Sequence, residues 1–188
     1  MSKKPKSGTA TNNDSEYYKL KINLRISSLP NKKEITVLEC FAGEGKIWDS
    51  IEKLTDKKIN RFRIDINEYK NLDFLGNSLQ FIKKANLKKF DIIDLDSWGS
   101  PVKYLEILFK RKYKGIIHCT YCIPMSLNPD KILAVNHFKI DHKTILLAPS
   151  LFSRNTGQMI ESYLIKNGIK AYFGLISADK NYFYFLRN

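Results

Sequence analysis

Apolar positions in this chain fall into short runs of four to seven residues separated by stretches of helical spacing. The first run, from Ile35, ends in Glu39-Cys40-Phe41-Ala42-Gly43-Glu44-Gly45, so it predicts a strand that runs through a carboxylate into a glycine-rich turn. Lys46 to Leu54 then reads as a helix. Ile59 to Asp65 predicts a second strand closing on a carboxylate, Lys89 to Leu95 a third, and Gly115 to Tyr121 and Thr144 to Ala148 are further apolar runs. Val102 to Lys112 and Thr156 to Lys166 have helical spacing between them. Alternation of this kind implies an α/β fold with a largely parallel sheet and helices on both faces. The last segments break it: Lys170 to Ile176 and Asn181 to Arg187 read as two strands joined through the polar Ser177-Ala-Asp-Lys180, a hairpin that reverses the final strand. Residues 1 to 15 are polar and aperiodic and read as a disordered, basic leader, which leaves 16–188 as a single domain.

The glycine turn narrows the chemistry. A dinucleotide fingerprint needs a third glycine three residues beyond Gly45, where the chain has Trp48, and no Gly-Lys-Ser/Thr run supplies a P-loop, which argues against pyrophosphate binding. Glu39, at the carboxyl end of its strand, suits a ligand offering a cationic amino group and ribose hydroxyls, and S-adenosylmethionine is such a ligand. Asp65 lies 20 residues after Gly45, at the end of the second strand, where a carboxylate accepts both ribose hydroxyls.

Formed by Glu39, Phe41, Ala42, Gly43 and Gly45, the E-x-F-A-G-x-G stretch resembles the first motif of class I, Rossmann-like methyltransferases, in the form found among those acting on nucleic acids. The resemblance runs from Ile35 to the last residues and implies a seven-stranded, largely parallel sheet with an antiparallel last strand. Gly76-Asn77-Ser78 stands where that class often has Gly-Asp-Ala, which implies that Asn77 and Ser78 meet the adenine, Asn77 by its amide oxygen in place of an acid. Asp94-Leu-Asp-Ser-Trp-Gly-Ser-Pro101 resembles the D-x-D-P-F-G-S-P loop of the tRNA guanine dimethyltransferase family, with Ser97 in place of the proline and Trp98 as the aromatic. His118-Cys-Thr-Tyr-Cys-Ile-Pro-Met-Ser-Leu127 is similar to that family's next strand end, with Cys122 where an Asp is usual.

These residue types suit transfer of a methyl group to an amine. A carboxylate orients the N–H and accepts its proton, and an aromatic ring stacks the base for ~1–3 kcal/mol. Asp96 is the expected carboxylate, Trp98 the platform and Ser97 their neighbour in the catalytic loop, shaped by Gly99 and Pro101. Asp94 either touches the cofactor or holds the loop.

Composition bears on the partner. Lys and Arg outnumber Asp and Glu by 32 to 19, a formal charge of +13, which favours a polyanionic partner such as RNA or DNA. Arg111, Lys112, Lys114, Arg154 and the Lys83-Lys84 and Lys88-Lys89 pairs are candidates for a phosphate track. No apolar stretch reaches the ~20 residues of a membrane span, and the opening residues lack the apolar core of a signal peptide, so a cytoplasmic protein is expected, with no membrane partner. Cys119 and Cys122 form a C-x-x-C beside His118, but with only Cys40, His137 and His142 left as ligands they read as buried thiols, and no metal is expected.

The expected function is S-adenosylmethionine-dependent methylation of a base amine in a nucleic acid, RNA in preference to DNA, with tRNA a candidate. The tRNA guanine dimethyltransferases carry a further RNA-gripping domain that these 188 residues do not contain, so a partner protein is a candidate for presenting the substrate. The alternative is a nucleic-acid-binding or regulatory protein with a degenerate methyltransferase fold, to which Asn77, Ser97 and Cys122 point. A protein or small amine as acceptor is a third reading.

Overall fold

The computed structural model describes residues 16–97, 99–122, 142–147, 156–176 and 180–187. The chain order is α1 (Glu16–Ser27), β1 (Glu34–Cys40), α2 (Lys46–Leu54), β2 (Lys58–Asp65), β3 (Phe74–Leu75), α3 (Ser78–Lys84), a 3-10 turn (Leu87–Lys89), β4 (Ile92–Leu95), α4 (Val102–Lys110), β5 (Gly115–Cys122), α5 (His142–Leu147), α6 (Thr156–Lys166), β6 (Phe173–Ile176) and β7 (Lys180–Arg187). The strands form one seven-stranded sheet in the order β3-β2-β1-β4-β5-β7-β6. β1, β2, β3, β4 and β5 pair in parallel, whereas β7 is antiparallel to both β5 and β6. The expected reversed last strand is therefore present, inserted through a hairpin whose tip, 177–179, lies outside the described residues.

Strand alternation sends side chains to two apolar layers. Leu38, Cys40, Ile64, Ile93, Leu95 and Ile117 pack with Ile82 of α3, Leu105 and Leu108 of α4 and Leu164 of α6. On the opposite face Ile35, Val37, Ile92 and Ile116 meet Ile22 of α1 and Trp48 and Ile51 of α2. α2 has the predicted bounds. α4 stops at Lys110, short of the predicted Lys112, and the chain turns there with Lys112 in a left-handed conformation (φ 53°).

Two expectations need correction. Thr144 to Ala148 was expected as a strand, yet His142–Leu147 is a helix, with Leu146 and Leu147 exposed. An apolar run this short fits a strand or a helical turn equally well, and the seventh strand is instead the two-residue β3. α1 was not foreseen at all. The polar leader expected over 1–15 lies outside the described residues, as do Trp98, His137 and Arg154.

Candidate functional site at the carboxyl edge of the sheet

The carboxyl ends of β2, β1, β4 and β5 lie side by side, and the expected site residues gather there. Residues paired across adjacent strands point to the same face, so Arg63, Glu39, Asp94 and His118 on the parallel strands and Tyr184 on the antiparallel β7 form one row across the sheet on the side of α1 and α2. Arg63, Glu39, Asp94 and His118 are buried. A buried charged row must be paired, and the pairing decides what each carboxylate can do.

Asp94 is the most enclosed. Its Oδ2 and Oδ1 accept from Arg25 Nε and Nη2 of α1, each at 2.7 Å, and Oδ2 also accepts from Trp48 Nε1 of α2 at 2.7 Å. Both partners of the ion pair are only 2% exposed. Burial alone would lower the pKa of Arg25, but Asp94 holds it above the ordinary value. Of the two roles the sequence leaves Asp94, this arrangement supplies the structural one. All three donors to its carboxylate come from α1 and α2, which close over it.

Asp96, two residues on, is 19% exposed and faces the edge. Lys21 Nζ donates to both of its oxygens at 2.7 Å, and Thr120 Oγ1 donates to Oδ1. Burial would raise its pKa, yet Lys21, Arg25 and these hydrogen bonds bring it below the usual value. Lys21 and Arg25 stand one helical turn apart, so a single face of α1 serves both carboxylates. Ser97 is buried, and its Oγ has no hydrogen-bond partner among the described residues.

His118 is neutral: burial first, then Arg25, lowers its pKa well below the ordinary value, against the pull of Asp96. Ser28 Oγ donates to Arg25 O at 2.8 Å, so the 2.7 Å contact between Ser28 Oγ and His118 Nε2 places the ring proton on Nε2. Cys119 is buried, as expected. Among the described residues no group of three His, Cys, Asp or Glu side chains is placed to hold a metal.

The glycine turn rests on β2. Arg61 donates to Glu39 Oε2 from Nη2 (2.8 Å) and Nε (3.1 Å) and to Gly45 O at 3.0 Å, while Arg63 Nη2 donates to Gly43 O at 3.2 Å. Burial pushes the Glu39 carboxyl up to about 7, although Arg61 and Arg63 oppose it. A Cβ on Gly45 (φ +78°) would lie 2.3 Å from Arg61 Nη2, so the missing side chain there makes room for a guanidinium rather than a ligand. At Gly43 (φ +52°) an added Cβ meets nothing within 4 Å, which leaves that side of the turn open. Phe41, at φ 62°, sets its ring edge-on to Tyr104 at 5.2 Å, so its side chain serves packing; Ala42 N donates to Ile64 O at 2.9 Å.

Asp65 accepts from Gly43 N and Asn67 N, each at 2.9 Å, tying the turn to the end of β2. A carboxylate has about four acceptor positions, so about two remain, and the next residue, Ile66, is 68% exposed. Asn77 stands immediately before α3. Its Oδ1 caps α3 by accepting from Leu79 N and Gln80 N at 2.9 and 3.2 Å, which fills both lone pairs of an amide oxygen. In this arrangement the amide N–H groups of Asn77 are what is left to give. Ser78, the first residue of α3, is buried with its hydroxyl on the Cys40 thiol.

No family model matches the sequence, and no curated protein matches it. Solved structures do. A possible exported protein from Bordetella parapertussis aligns over 92% of this chain and 67% of its own with a TM-score of 0.57 at 10% identity. A SAM-dependent methyltransferase from Archaeoglobus fulgidus aligns over 89% and 92% with a TM-score of 0.52 at 13% identity. The chain has the Rossmann-like methyltransferase fold. The DszA carbon methyltransferase shares it over 95% of this chain at a TM-score of 0.51 and 14% identity, and there this chain spans only 55% of the neighbour's length.

Lys21, Arg25, Arg61, Arg63, Thr120 and Ile66 were not picked out from the sequence. Only Arg61 and Arg63 carried a usable signal, two cations alternating on the strand beside Glu39.

Proposed function

We propose that this protein is an S-adenosylmethionine-dependent methyltransferase acting on an amine of a nucleic acid base, RNA in preference to DNA. The observation that carries the reading is the meeting, at the carboxyl ends of adjacent strands, of Asp65, the open side of the Gly43 turn and Asp96. About two acceptor positions left on Asp65 match two ribose hydroxyls, and the exposed Ile66 beside it suits one face of a flat base. Bound there, S-adenosylmethionine supplies a methyl group activated by a sulfonium. The methyltransferases among the structural neighbours lend the same reaction class to this fold.

Asp96 faces the acceptor's side. Lys21 and Thr120 occupy three of its roughly four acceptor positions, which leaves about one, on Oδ2, for an amine N–H. Because its pKa is lowered, Asp96 stays ionised and orients the nitrogen lone pair; it stores a proton poorly, so the proton displaced from nitrogen passes on to water. Trp98, next in the loop, remains the proposed stacking platform, in line with the resemblance of residues 94–101 to the tRNA guanine dimethyltransferase loop. A partner protein that presents the RNA is part of the same proposal.

Calorimetric titration with S-adenosylmethionine and its demethylated product tests the cofactor. Micromolar binding that is lost in Asp65→Ala is the expected result. Asp96→Ala should then abolish transfer of labelled methyl groups to RNA while cofactor affinity changes by no more than about threefold, and undiminished turnover would overturn its role. Absence of cofactor binding would instead favour the non-catalytic reading, to which the spent oxygen of Asn77 and the Lys21 ion pair on Asp96 both point.

A further inference from the structure

The fold sorts charge along the strand axis in a way the sequence order hides. Helices that connect parallel strands run back against them, so their carboxyl ends, and the connectors into the next strand, all arrive at the amino edge of the sheet. Lys53 ends α2, with Lys57 and Lys58 entering β2. Lys83 and Lys84 end α3, and Lys88 and Lys89 precede β4. Lys110 ends α4, and Arg111, Lys112 and Lys114 precede β5, while Lys32 and Lys33 precede β1. Except for Lys57, which is half-buried, all of these side chains are exposed.

Contacts knit the connectors into one surface. Arg111 Nη1 donates to Ile82 O and Ala85 O, joining the ends of α4 and α3. Tyr113 Oη donates to Phe90 O at 3.1 Å, and Lys57 Nζ donates to Lys32 O at 3.1 Å, while Lys32 pairs with Asp91. Lys58 pairs with Glu34, but Lys83, Lys84, Lys88 and Lys114 form no salt bridge with a described carboxylate. The carboxyl edge, by contrast, is mixed: it carries Glu44, Asp65, Glu68, Asp73 and Asp96 together with Lys46, Lys70 and Lys103, and Lys46 is paired with Glu44. Helix macrodipoles account for cations in a last turn such as Lys83, Lys84 and Lys110. They do not account for Lys32, Lys33, Lys58, Lys88 or Lys114, which lie outside any α-helix.

We propose that the amino edge is a docking surface for the backbone of duplex RNA, opposite the candidate site. No exposed aromatic side chain stands among these cations in the described residues, so the edge offers phosphate contacts without a stacking platform, which fits a duplex rather than a single strand. The seven residues of β1 put about 23 Å between this edge and the site. One ligand reaches both only if it is folded, with a duplex stem at one end and an unpaired base at the other, and a strand folded on itself in this way is characteristic of RNA. That choice of RNA over DNA rests on the proposed base-methylating function; the phosphate surface does not.

The test is binding of an RNA hairpin with an unpaired loop, measured against salt for the whole chain. Removing five charges as Lys83→Gln, Lys84→Gln, Lys88→Gln, Lys110→Gln and Lys114→Gln should weaken binding at least tenfold at about 0.1 M salt. It should also make the slope of log K against log salt shallower by about 2 to 4. Lys46→Gln, Lys70→Gln and Lys103→Gln together, at the other edge, should leave the slope unchanged. If that second set carries the salt dependence, or the first set does not, the proposal falls. A DNA hairpin of the same sequence binding equally well overturns the assignment to RNA. S-adenosylmethionine titrated into both variants separates the outcomes. Cofactor binding with unchanged RNA binding in the five-site variant sinks this proposal alone, and lost RNA binding in a protein that never binds cofactor sinks only the enzymatic reading.

Discussion

Replacing Arg25 by Met tests whether the buried ion pair is what docks α1. The Asp94 carboxylate, 2% exposed, receives three donors: Nε and Nη2 of Arg25 and Nε1 of Trp48. Arg25→Met removes two of them and the charge in direct contact, leaving a buried anion with one indole N–H. Breaking a buried pair in this way costs about 3–5 kcal/mol, a large part of the roughly 5–15 kcal/mol that separates folded from unfolded states. With a urea dependence of about 2 kcal/mol per molar, the unfolding midpoint followed by circular dichroism should fall by about 2 M. Asp94→Asn in the same chain keeps an oxygen for Trp48 and removes the stranded charge. The double variant should therefore regain at least about 1 kcal/mol relative to Arg25→Met. A midpoint loss under about 0.5 M, or a double variant no more stable than Arg25→Met, would refute the reasoning.

Two further outcomes follow from the turn on β2. Gly45→Ala requires a left-handed alanine and displaces Arg61 and Arg63, so it should cost about 2–3 kcal/mol in a denaturation experiment; a loss below about 0.5 kcal/mol would show that the guanidinium groups move aside freely. Glu39 has a folded pKa of about 7 against 4.5 for the free group, so the native state binds the extra proton between those values. Its contribution is fully present below about pH 4.5 and is lost as pH rises through about 7, amounting to about 3 kcal/mol at about 1.4 kcal/mol per pH unit. Glu39→Gln should remove that part of the pH dependence, and parallel stability curves for the two proteins would show that pairing with Arg61 keeps the carboxyl ionised throughout.

The parts of the fold legible in the sequence are those where one period dominates. The glycine turn stops β1 and starts α2, which is why α2 has the predicted bounds, and the polar Ser177 to Lys180 stretch marks the hairpin that reverses β7. α1 was hidden because Lys19-Leu-Lys-Ile-Asn-Leu-Arg-Ile26 alternates with the period of a strand. It is a helix because Lys21 and Arg25, four residues apart, find carboxylates on the sheet, and no local pattern reveals a partner about 70 residues away. The site shows the same division. Gly43, Asp65 and Asp96 stand at strand ends that spacing identifies, but the different fates of Asp94 and Asp96 are decided by α1. At Asn77 the sequence does not separate two uses, because capping a helix and binding a base ask for the same oxygen.

The bonds from Arg25 to Asp94 and from Lys21 to Asp96 span 69 and 75 residues of sequence. During synthesis α1 leaves the ribosome first, and at roughly 5–20 residues per second its two anchors follow about 4–15 s later. Until then the apolar side chains of α1 can pack on β1 and α2, but Arg25 and Lys21 lack their carboxylate partners. The ion pairs that lock α1 to the sheet thus wait for β4, and a nascent chain stalled before Asp94 would hold α1 by its apolar contacts with β1 and α2 alone.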